Sequence, residues 1–448
     1  MQSEQSDLFQ QNPQVPGTLI WRDSAARFQV LGKLSDTLTA LVNVHVRLFD
    51  GPDSYGGGNL VTPVPGQSEF SSPAFRNSTE TQTADGVTLT LNKVFDSGNI
   101  LTSITDRSNY GESQAGESGT GVTTDSGLTR SKWDVNQFSQ EFRLTSPAEQ
   151  QLSWILGAYY FNGSIASDSE NGTFSNLNQT SSAITAAAYG DDTYGIKNTD
   201  YAVFGHGDWK FNQKLDLALG LRYTIDQKTG SLLYASNLKP TAAGGITTGT
   251  NGNNIVTTSS PTDWWNPSNV VQTLYTVAQD SKSRTWNGLT YDITPSYQVT
   301  DDLKVYFRNA KSFNAGNFNA TATTQATVAT IEPEYVNSFE IGEKSQWLNN
   351  RLTVDGDVFY YLYTNIQQKV QVVNPVQANA SVTSFTNNAD GIGEGVELSI
   401  TYLPTDNLKL STNIGLNETR FTFFPLIQLP LLPRPVPLAI GLTGCPGI

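Results

Sequence analysis

Residues 214–225 alternate strictly between apolar and polar side chains, the pattern of a β-strand that faces two different environments. One face carries only large apolar side chains, those of Leu215, Leu217, Leu219, Leu221, Tyr223 and Ile225. The other face carries charged, hydroxyl or small side chains, those of Lys214, Asp216, Ala218, Gly220, Arg222 and Thr224. A strand of about ten residues crosses the hydrocarbon of a bilayer at a tilt, with lipid outside and a polar lumen inside. The segment therefore predicts a transmembrane β-strand.

The same period of two recurs along most of the chain, in about thirteen segments bounded by clusters of Gly, Asn, Asp, Ser or Pro. The segments are residues 38–48, 87–95, 99–109, 134–145, 152–161, 200–210, 214–225, 285–298, 302–311, 335–346, 351–363, 394–403 and 407–420. Closing such strands into a barrel satisfies the backbone hydrogen bonds that lipid cannot. We therefore predict an all-β fold, an antiparallel transmembrane β-barrel with about 13 to 16 strands in this chain.

Short and long connections alternate between these segments. There are tight turns after residues 210, 299, 348 and 404. Between these short turns lie long polar stretches, at residues 49–86, 110–133, 162–199, 226–284, 312–334 and 373–393. Outer-membrane barrels show this asymmetry, with short periplasmic turns and long outer loops. Ligand contacts concentrate in loops on a rigid scaffold. The aromatic residues Trp264, Trp265 and Tyr275 are therefore candidate ligand contacts.

Charge and composition narrow the function classes. The 448 residues carry a net charge of -14 at pH 7, which argues against binding to the phosphates of nucleic acid. The only cysteine is Cys445 and there are two histidines, so we expect no internal disulfide, no Cys- or His-rich metal site and no cofactor. The first residues lack the charged start and apolar core of a signal peptide.

The chain divides into three parts by composition and residue pattern. Residues 1–37 read as an N-terminal segment of barrel or loop, and residues 38–424 as the alternating barrel region. Prolines recur through the apolar residues 425–448, and proline at that density is compatible with neither a helix nor a paired strand. We interpret this last part as the start of an outer loop whose return strand is missing.

Seven short motifs in this order resemble the barrel of TonB-dependent outer-membrane receptors, particularly the large group found in sphingomonad-like bacteria. They are QFSQEFRLTS at 137–146, WILGAYYF at 154–161, YAVFG at 201–205, LGLRYT at 219–224, EPE at 332–334, FEIGEKS at 339–345 and GVEL at 395–398. The resemblance implies a barrel of the 22-strand receptor type, here partial, in the outer membrane of a Gram-negative cell. It also implies a plug domain and a TonB energy-coupling protein as partner.

Several motif charges share a strand face opposite large apolar residues, which predicts that they line the lumen. These residues are Glu141, Arg143, Arg222, Glu340, Lys344 and Glu397. A carboxylate and an ammonium such as Glu340 and Lys344 can pair in a wet lumen. We interpret these charges as braces of the lumen wall or as contacts for a plug, the second role being implied by the resemblance.

The resemblance implies energy-coupled uptake of a scarce solute, with a ferric siderophore first, then cobalamin or an oligosaccharide. The family's plug, its coupling box and its closing strand are not found in the sequence, so we expect a receptor fragment that does not insert stably alone. A passive porin-like channel and a non-functional fragment are the alternatives. An enzyme is disfavoured, because His206 and Asp208 share a face with no serine motif beside them, and a soluble β-repeat is disfavoured by the lack of a fixed period.

Overall fold

The structure is a computed structural model that describes residues 2–5, 21–51, 79–117, 126–148, 150–175, 183–236, 255–257, 275–319, 329–373 and 381–423. Almost all of these residues lie in β-strands. The strands are β1 Gln2–Gln5, β2 Trp21–Ser35, β3 Leu38–Gly51, β4 Thr79–Val94, β5 Ile100–Glu117, β6 Ser126–Thr145, β7 Leu152–Ser175, β8 Ala183–Lys210, β9 Leu215–Ser236, β10 Ile255–Thr257, β11 Tyr275–Thr300, β12 Leu303–Asn314, β13 Asn317–Phe318, β14 Thr330–Ile331, β15 Glu334–Trp347, β16 Leu352–Val373, β17 Ser381–Thr405 and β18 Leu408–Phe423.

Sixteen of these strands form one antiparallel sheet. Each long strand pairs with its neighbours in chain order from β1 to β18, except that the short β10 pairs only with β8. The hairpin of β13 and β14 stands apart from this sheet, between β12 and β15. Within the described ranges, β1 and β18 are the two ends of the sheet and do not pair with each other. The predicted all-β antiparallel architecture is confirmed.

A continuous apolar row crosses four neighbouring strands on the outer face of the sheet. Ile341 on β15 lies opposite Val358 on β16, which lies opposite Val396 on β17, which lies opposite Leu416 on β18. Their exposed fractions are 66%, 57%, 45% and 68%, which are high for large apolar side chains. A large exposed apolar surface of this kind is stable against lipid. The row agrees with the predicted lipid-facing side of a barrel.

The strands reach well beyond the residues that alternate, so the predicted extent of the outer loops is wrong. Strand β8 has 28 residues, β11 has 26 and β17 has 25, whereas about ten suffice to cross the hydrocarbon. The extra length lies away from the short turns, inside stretches predicted as loops. There no face of the strand meets lipid, so the backbone ladder continues without the regular apolar alternation that would reveal it.

The two chain ends differ in what the structure describes. Within residues 1–37, β1 and β2 join the main sheet, although Leu31 interrupts the alternation of β2. Residues 425–448, with their prolines and Cys445, lie outside the described residues. No helix in the described part of the chain is long and apolar enough to cross a membrane.

Candidate functional site on the inner wall

The six charges predicted to line the lumen all lie on the inner face, opposite the apolar outer face. Five of them alternate with an exposed apolar neighbour, as Arg222 does with Leu221 and Glu340 does with Ile341, and Lys344 shares the face of Glu340 four residues further along the same strand. Their strands are spread around the sheet, so the six do not form a single cluster. Glu141 and Arg143 lie on β6, Arg222 on β9, Glu340 and Lys344 on β15, and Glu397 on β17.

Glu141 and Arg143 form a local ion pair on β6. The Arg143 Nε atom lies 2.6 Å from Oε1 of Glu141, and both side chains are partly exposed. The Nε–H bond is not directed at an acceptor, so this contact is an ion pair without a hydrogen bond at Nε. An exposed pair of this kind contributes about 0 to 1 kcal/mol, so its main effect is on the charge of the wall.

Glu340 interacts with β12 across the sheet rather than with Lys344 along its own strand. The Tyr306 hydroxyl donates a 2.6 Å hydrogen bond to Oε1 of Glu340, and Nη1 of Arg308 lies 4.0 Å from Oε2. Arg308 also holds Asp292 of β11, with Nη2 at 2.5 Å from Oδ2. The network therefore links three strands of the wall.

Glu340 and Glu397 come near each other through Asp357 of β16, a residue that the sequence did not single out. Asp357 is in register with Gly342, two residues from Glu340, and with Glu397 on the other side. Diagonal and directly opposite neighbours on one face lie within reach of each other's side chains. The three carboxylates form an acidic patch, which we define as Glu340, Asp357 and Glu397. A cavity of about 440 Å³ beside it is lined by Lys344, Asp355, Asp357 and Glu397, among others.

Arg222 lies elsewhere on the wall and stacks on aromatic rings. Its guanidinium carbon is 5.3 Å from the ring centre of Tyr159 and 5.6 Å from that of Phe204, and its Nε donates a 3.1 Å hydrogen bond to Thr224. No carboxylate of the described residues lies within 4.0 Å of it. Rings hold a cation without neutralising it. Arg222 thus presents its charge to a second cavity, of about 760 Å³, which Arg308 also lines.

A strap crosses the inner face above this second cavity; we define it as residues 314–319 and 329–334, which carry β13 and β14. The Phe318 ring packs on Trp286 of β11, with ring centres 5.9 Å apart, and both side chains are buried. Tyr194, Ile196 and Leu232 complete this buried cluster. A Cβ on Gly230 would overlap the Phe318 ring, so the absence of a side chain at Gly230 leaves a notch in the wall that the Phe318 ring fills.

Polar contacts tie the strap to one side of the wall. Lys228 Nζ of β9 donates a 2.8 Å hydrogen bond to the Gly316 carbonyl. Arg284 Nη2 lies 2.7 Å from Oε1 of Glu332, and the Trp286 indole donates to Oε2 of the same carboxylate at 3.2 Å. Lys228 is itself 3.3 Å from the buried Asp226 carboxylate. These contacts combine with the Phe318 packing to fix the strap on β9 and β11.

The opposite side of the strap is held by Gln367 of β16. Its side-chain amide donates to the Ala315 carbonyl at 3.0 Å and to the Glu332 carbonyl at 2.9 Å. Its oxygen accepts a 3.2 Å hydrogen bond from Asn314. The backbone N–H of Gln367 donates to Oε2 of Glu334 at 2.9 Å. One side chain therefore closes both legs of the strap against the wall.

The sequence did not reveal the strap, because residues 312–334 lack alternation and read as an outer loop. The one signal was the EPE motif at 332–334, which supplies two of the carboxylates that anchor it. The candidate loop contacts Trp264 and Trp265 lie outside the described residues. Tyr275 is the first residue of β11, in register with Ser236, so its predicted loop position is wrong.

An acidic group lies higher on β7 and β8, beyond the membrane-crossing residues. Burial, and then the charges of Asp168 and Glu170, raises the pKa of Asp191 to about 6. Burial, and then the charges of Asp191 and Asp168, raises the pKa of Asp192 to about 6. These carboxylates therefore gain protons in mildly acidic water, which makes this end of the hairpin sensitive to pH.

His206 and Asp208, the pair considered for an enzyme, form a simple exposed contact. His206 Nε2 lies 3.4 Å from Oδ2 of Asp208 on the inner face of β8, and both side chains are exposed. Over the described ranges, no three His, Cys, Asp or Glu side chains converge as metal ligands would.

The fold has solved counterparts among uptake receptors and transporters. The ferric yersiniabactin uptake receptor from Yersinia pestis superposes with a TM-score of 0.67 at 15% identity, over 94% of this chain and 56% of its own. The siderophore receptor from Acinetobacter baumannii gives 0.58 at 15% identity, over 89% and 57%. A copper transporter gives 0.60 at 10% identity, over 94% and 56%. The chain thus spans little more than half the length of these proteins, and at such identities the likeness concerns the fold.

Agreement at the level of sequence is more specific. The model of the family described as "TonB dependent receptor-like, beta-barrel" matches residues 25–433, which is most of the chain and includes every motif noted above. The apolar outer face, the charged inner wall and this match lead to one conclusion: the chain belongs to the TonB-dependent receptor β-barrel family.

Proposed function

We propose that this chain forms the barrel wall of an outer-membrane receptor that takes up a scarce solute by energy-coupled transport. The observation that carries the proposal is the division of one sheet into a lipid-compatible outer face and a charged inner wall with two cavities. A ferric siderophore is the leading substrate class, because similar solved structures carry siderophore receptor names. Cobalamin or an oligosaccharide are the next classes.

The test is uptake by cells that carry the gene in its native context. We expect deletion of the gene to abolish growth on one ferric siderophore under iron limitation, and a protonophore to stop uptake of its radioactive iron. Uptake that continues in the presence of the protonophore would instead identify the passive channel. Growth that is unchanged on siderophores, cobalamin and glycans alike would reject the receptor function.

We further propose that the acidic patch faces a plug domain, through which a TonB energy-coupling protein would act. The support is the convergence of three carboxylates on the lumen side. Among the residues that the structure describes, Arg308 is the one cation within 4.0 Å of any of them. Uncompensated carboxylates attract arginine or lysine from an opposing surface.

Replacing Glu340 and Glu397 together by Gln keeps their shape and removes two charges. We expect this variant to reach the membrane but to lose most transport. The matched control is Glu418→Gln, on the outward side of β18, where transport should persist. Equal losses in both variants would mean that the patch has no special partner.

A further inference from the structure

The strap runs as a chord across the inner wall. It leaves β12 and returns to β15, which are adjacent strands, yet it is tied to β9 and β11 on one side and to β16 on the other. Adjacent strands lie about 4.8 Å apart, so the four steps from β9 to β16 span about 19 Å of wall. A connection that only joined neighbouring strands would need none of these contacts.

Along the barrel axis, the strap lies between the Arg222 cavity and the end of the barrel that bears the long connections. Along β9 the chain rises from the short turn through Arg222 to Lys228 and then Gly230, the two places where the strap is held. Asn314 and Ala315 of the strap line this same cavity. Six residues of tilted strand separate Arg222 from Lys228, about 15 Å along the barrel axis. The strap therefore stands between the Arg222 wall and the side that bears the long connections.

The contacts of the strap indicate a fixed element. Phe318 and Ile331 are buried, at 8% and 5% exposure, and Trp286 beneath them at 4%. Lifting the strap would expose this cluster, break the bond of Lys228 to the Gly316 carbonyl, and leave the Trp286 indole without its partner Glu332. Buried polar groups that lose partners are costly, so the open form would be rare.

We infer that the strap is a fixed roof over the Arg222 cavity, and that it limits the size of the solute that reaches this part of the wall. Phe318 is the specificity-determining residue, since its ring in the Gly230 notch holds the roof in place. The inference deepens the proposed function. Only the role of the roof in selecting a solute rests on that function. The roof itself is a physical property that can be measured without transport.

The test is cysteine labelling from outside intact cells that carry the receptor in its native context. In a Cys445→Ser background, Thr290→Cys places a thiol on the cavity wall. The probes are a small charged maleimide and a polyethylene glycol maleimide, neither of which crosses the membrane. We expect the small probe to react and the polymer to be excluded, and Phe318→Ala to raise polymer labelling about tenfold or more by populating the open form.

Gly230→Ala tests the same roof from the wall side, because its new Cβ overlaps the Phe318 ring. The matched control is Gly393→Ala, whose Cβ meets only ordinary contacts at 3.5 Å and beyond. We expect polymer labelling to rise in the first and not in the second. If Phe318→Ala does not assemble, Gly230→Ala provides the same comparison.

Two outcomes of the labelling would overturn the inference. If the polymer labels Thr290→Cys as fast when Phe318 is present as in the Phe318→Ala variant, there is no roof. If neither probe labels any variant, the cavity is closed for another reason. Hydrogen exchange gives an independent readout: the Asn319 amide, bonded to the Ala329 carbonyl at 3.0 Å, should exchange slowly. Fast exchange there contradicts a fixed strap. Expected labelling together with no uptake of siderophore, cobalamin or oligosaccharide would reject the proposed function and leave the inference about the roof intact.

Discussion

Leu221→Arg places a charge on the lipid side of β9 and tests which face of the sheet meets the bilayer. Leu221 is 49% exposed and lies between Gly205 of β8 and Tyr291 of β11. It is six residues beyond the start of β9, so at about 3.3 Å per residue and a tilt of about 40° it lies about 15 Å from the turn. That depth is close to the middle of the hydrocarbon.

An arginine at the middle of the lipid face of a barrel costs about 2 to 4 kcal/mol. At about 1.4 kcal/mol per factor of ten, the ratio of folded to unfolded protein should fall by a factor of about 30 to 1000. The matched control is Ala218→Arg on the same strand. Ala218 faces the lumen in register with Asp208, so its arginine gains a partner and should change stability by about 1 kcal/mol or less.

The assay is urea unfolding of the receptor in lipid vesicles, followed by tryptophan emission, with heat-modifiable mobility on a gel as a second measure of folding. We expect a lower midpoint for Leu221→Arg and a midpoint close to the parent for Ala218→Arg. Equal midpoints for the two variants, or a larger loss at Ala218, would mean that the assignment of outer and inner faces is reversed or that this strand does not contact lipid.

Three further tests concern packing, pH response and the buried ion pair. Gly395→Val should cost about 1 to 3 kcal/mol because its side chain would overlap the neighbouring strand, whereas Gly415→Val, with open space around its Cβ, should be nearly neutral in the same urea assay. The pKa of Asp192 is raised from 3.8 to about 6, so the native state holds this proton more tightly than the unfolded chain, and stability should fall as pH rises between those values. Asp192→Asn should weaken that dependence. The measurement is hydrogen exchange of the upper β7–β8 hairpin below and above pH 6, corrected for intrinsic rates. The same pH dependence in the variant and the parent would contradict this reasoning. Lys228→Met leaves the Asp226 carboxylate buried without its cation and should cost about 3 to 5 kcal/mol, while changing both residues to apolar ones should recover most of that loss in urea unfolding.

Much of the inner wall could be predicted from sequence because alternation fixes the face of each side chain. Once Leu221 points to lipid, Arg222 must point to the lumen, and the same logic places Glu340 beside Ile341. Alternation does not say which residues of distant strands meet. Glu340 binds Tyr306 of β12, and Asp357 joins it to Glu397, because strand order and register set these distances. Neither contact could be read from a single strand.

The outer parts of the molecule were the least predictable. Above the membrane a strand meets lipid on neither face, so β8 and β11 continue through mostly polar residues that resemble loops. Tyr275 was misplaced for this reason. The strap was hidden by the same lack of pattern, although its anchors at Gly230 and Trp286 lie within strands whose cores were predicted.

The sequence by itself determined the class of fold and the face of each residue in the membrane-crossing strands, because lipid on one side and water on the other impose a period of two that any single strand displays. The family followed from the short motifs that resemble it. The tertiary structure alone decided the acidic patch, the aromatic cradle of Arg222 and the strap that covers its cavity. These depend on which strands are neighbours and how far each is shifted along the next. Such contacts join residues far apart in the chain, and no local pattern records them.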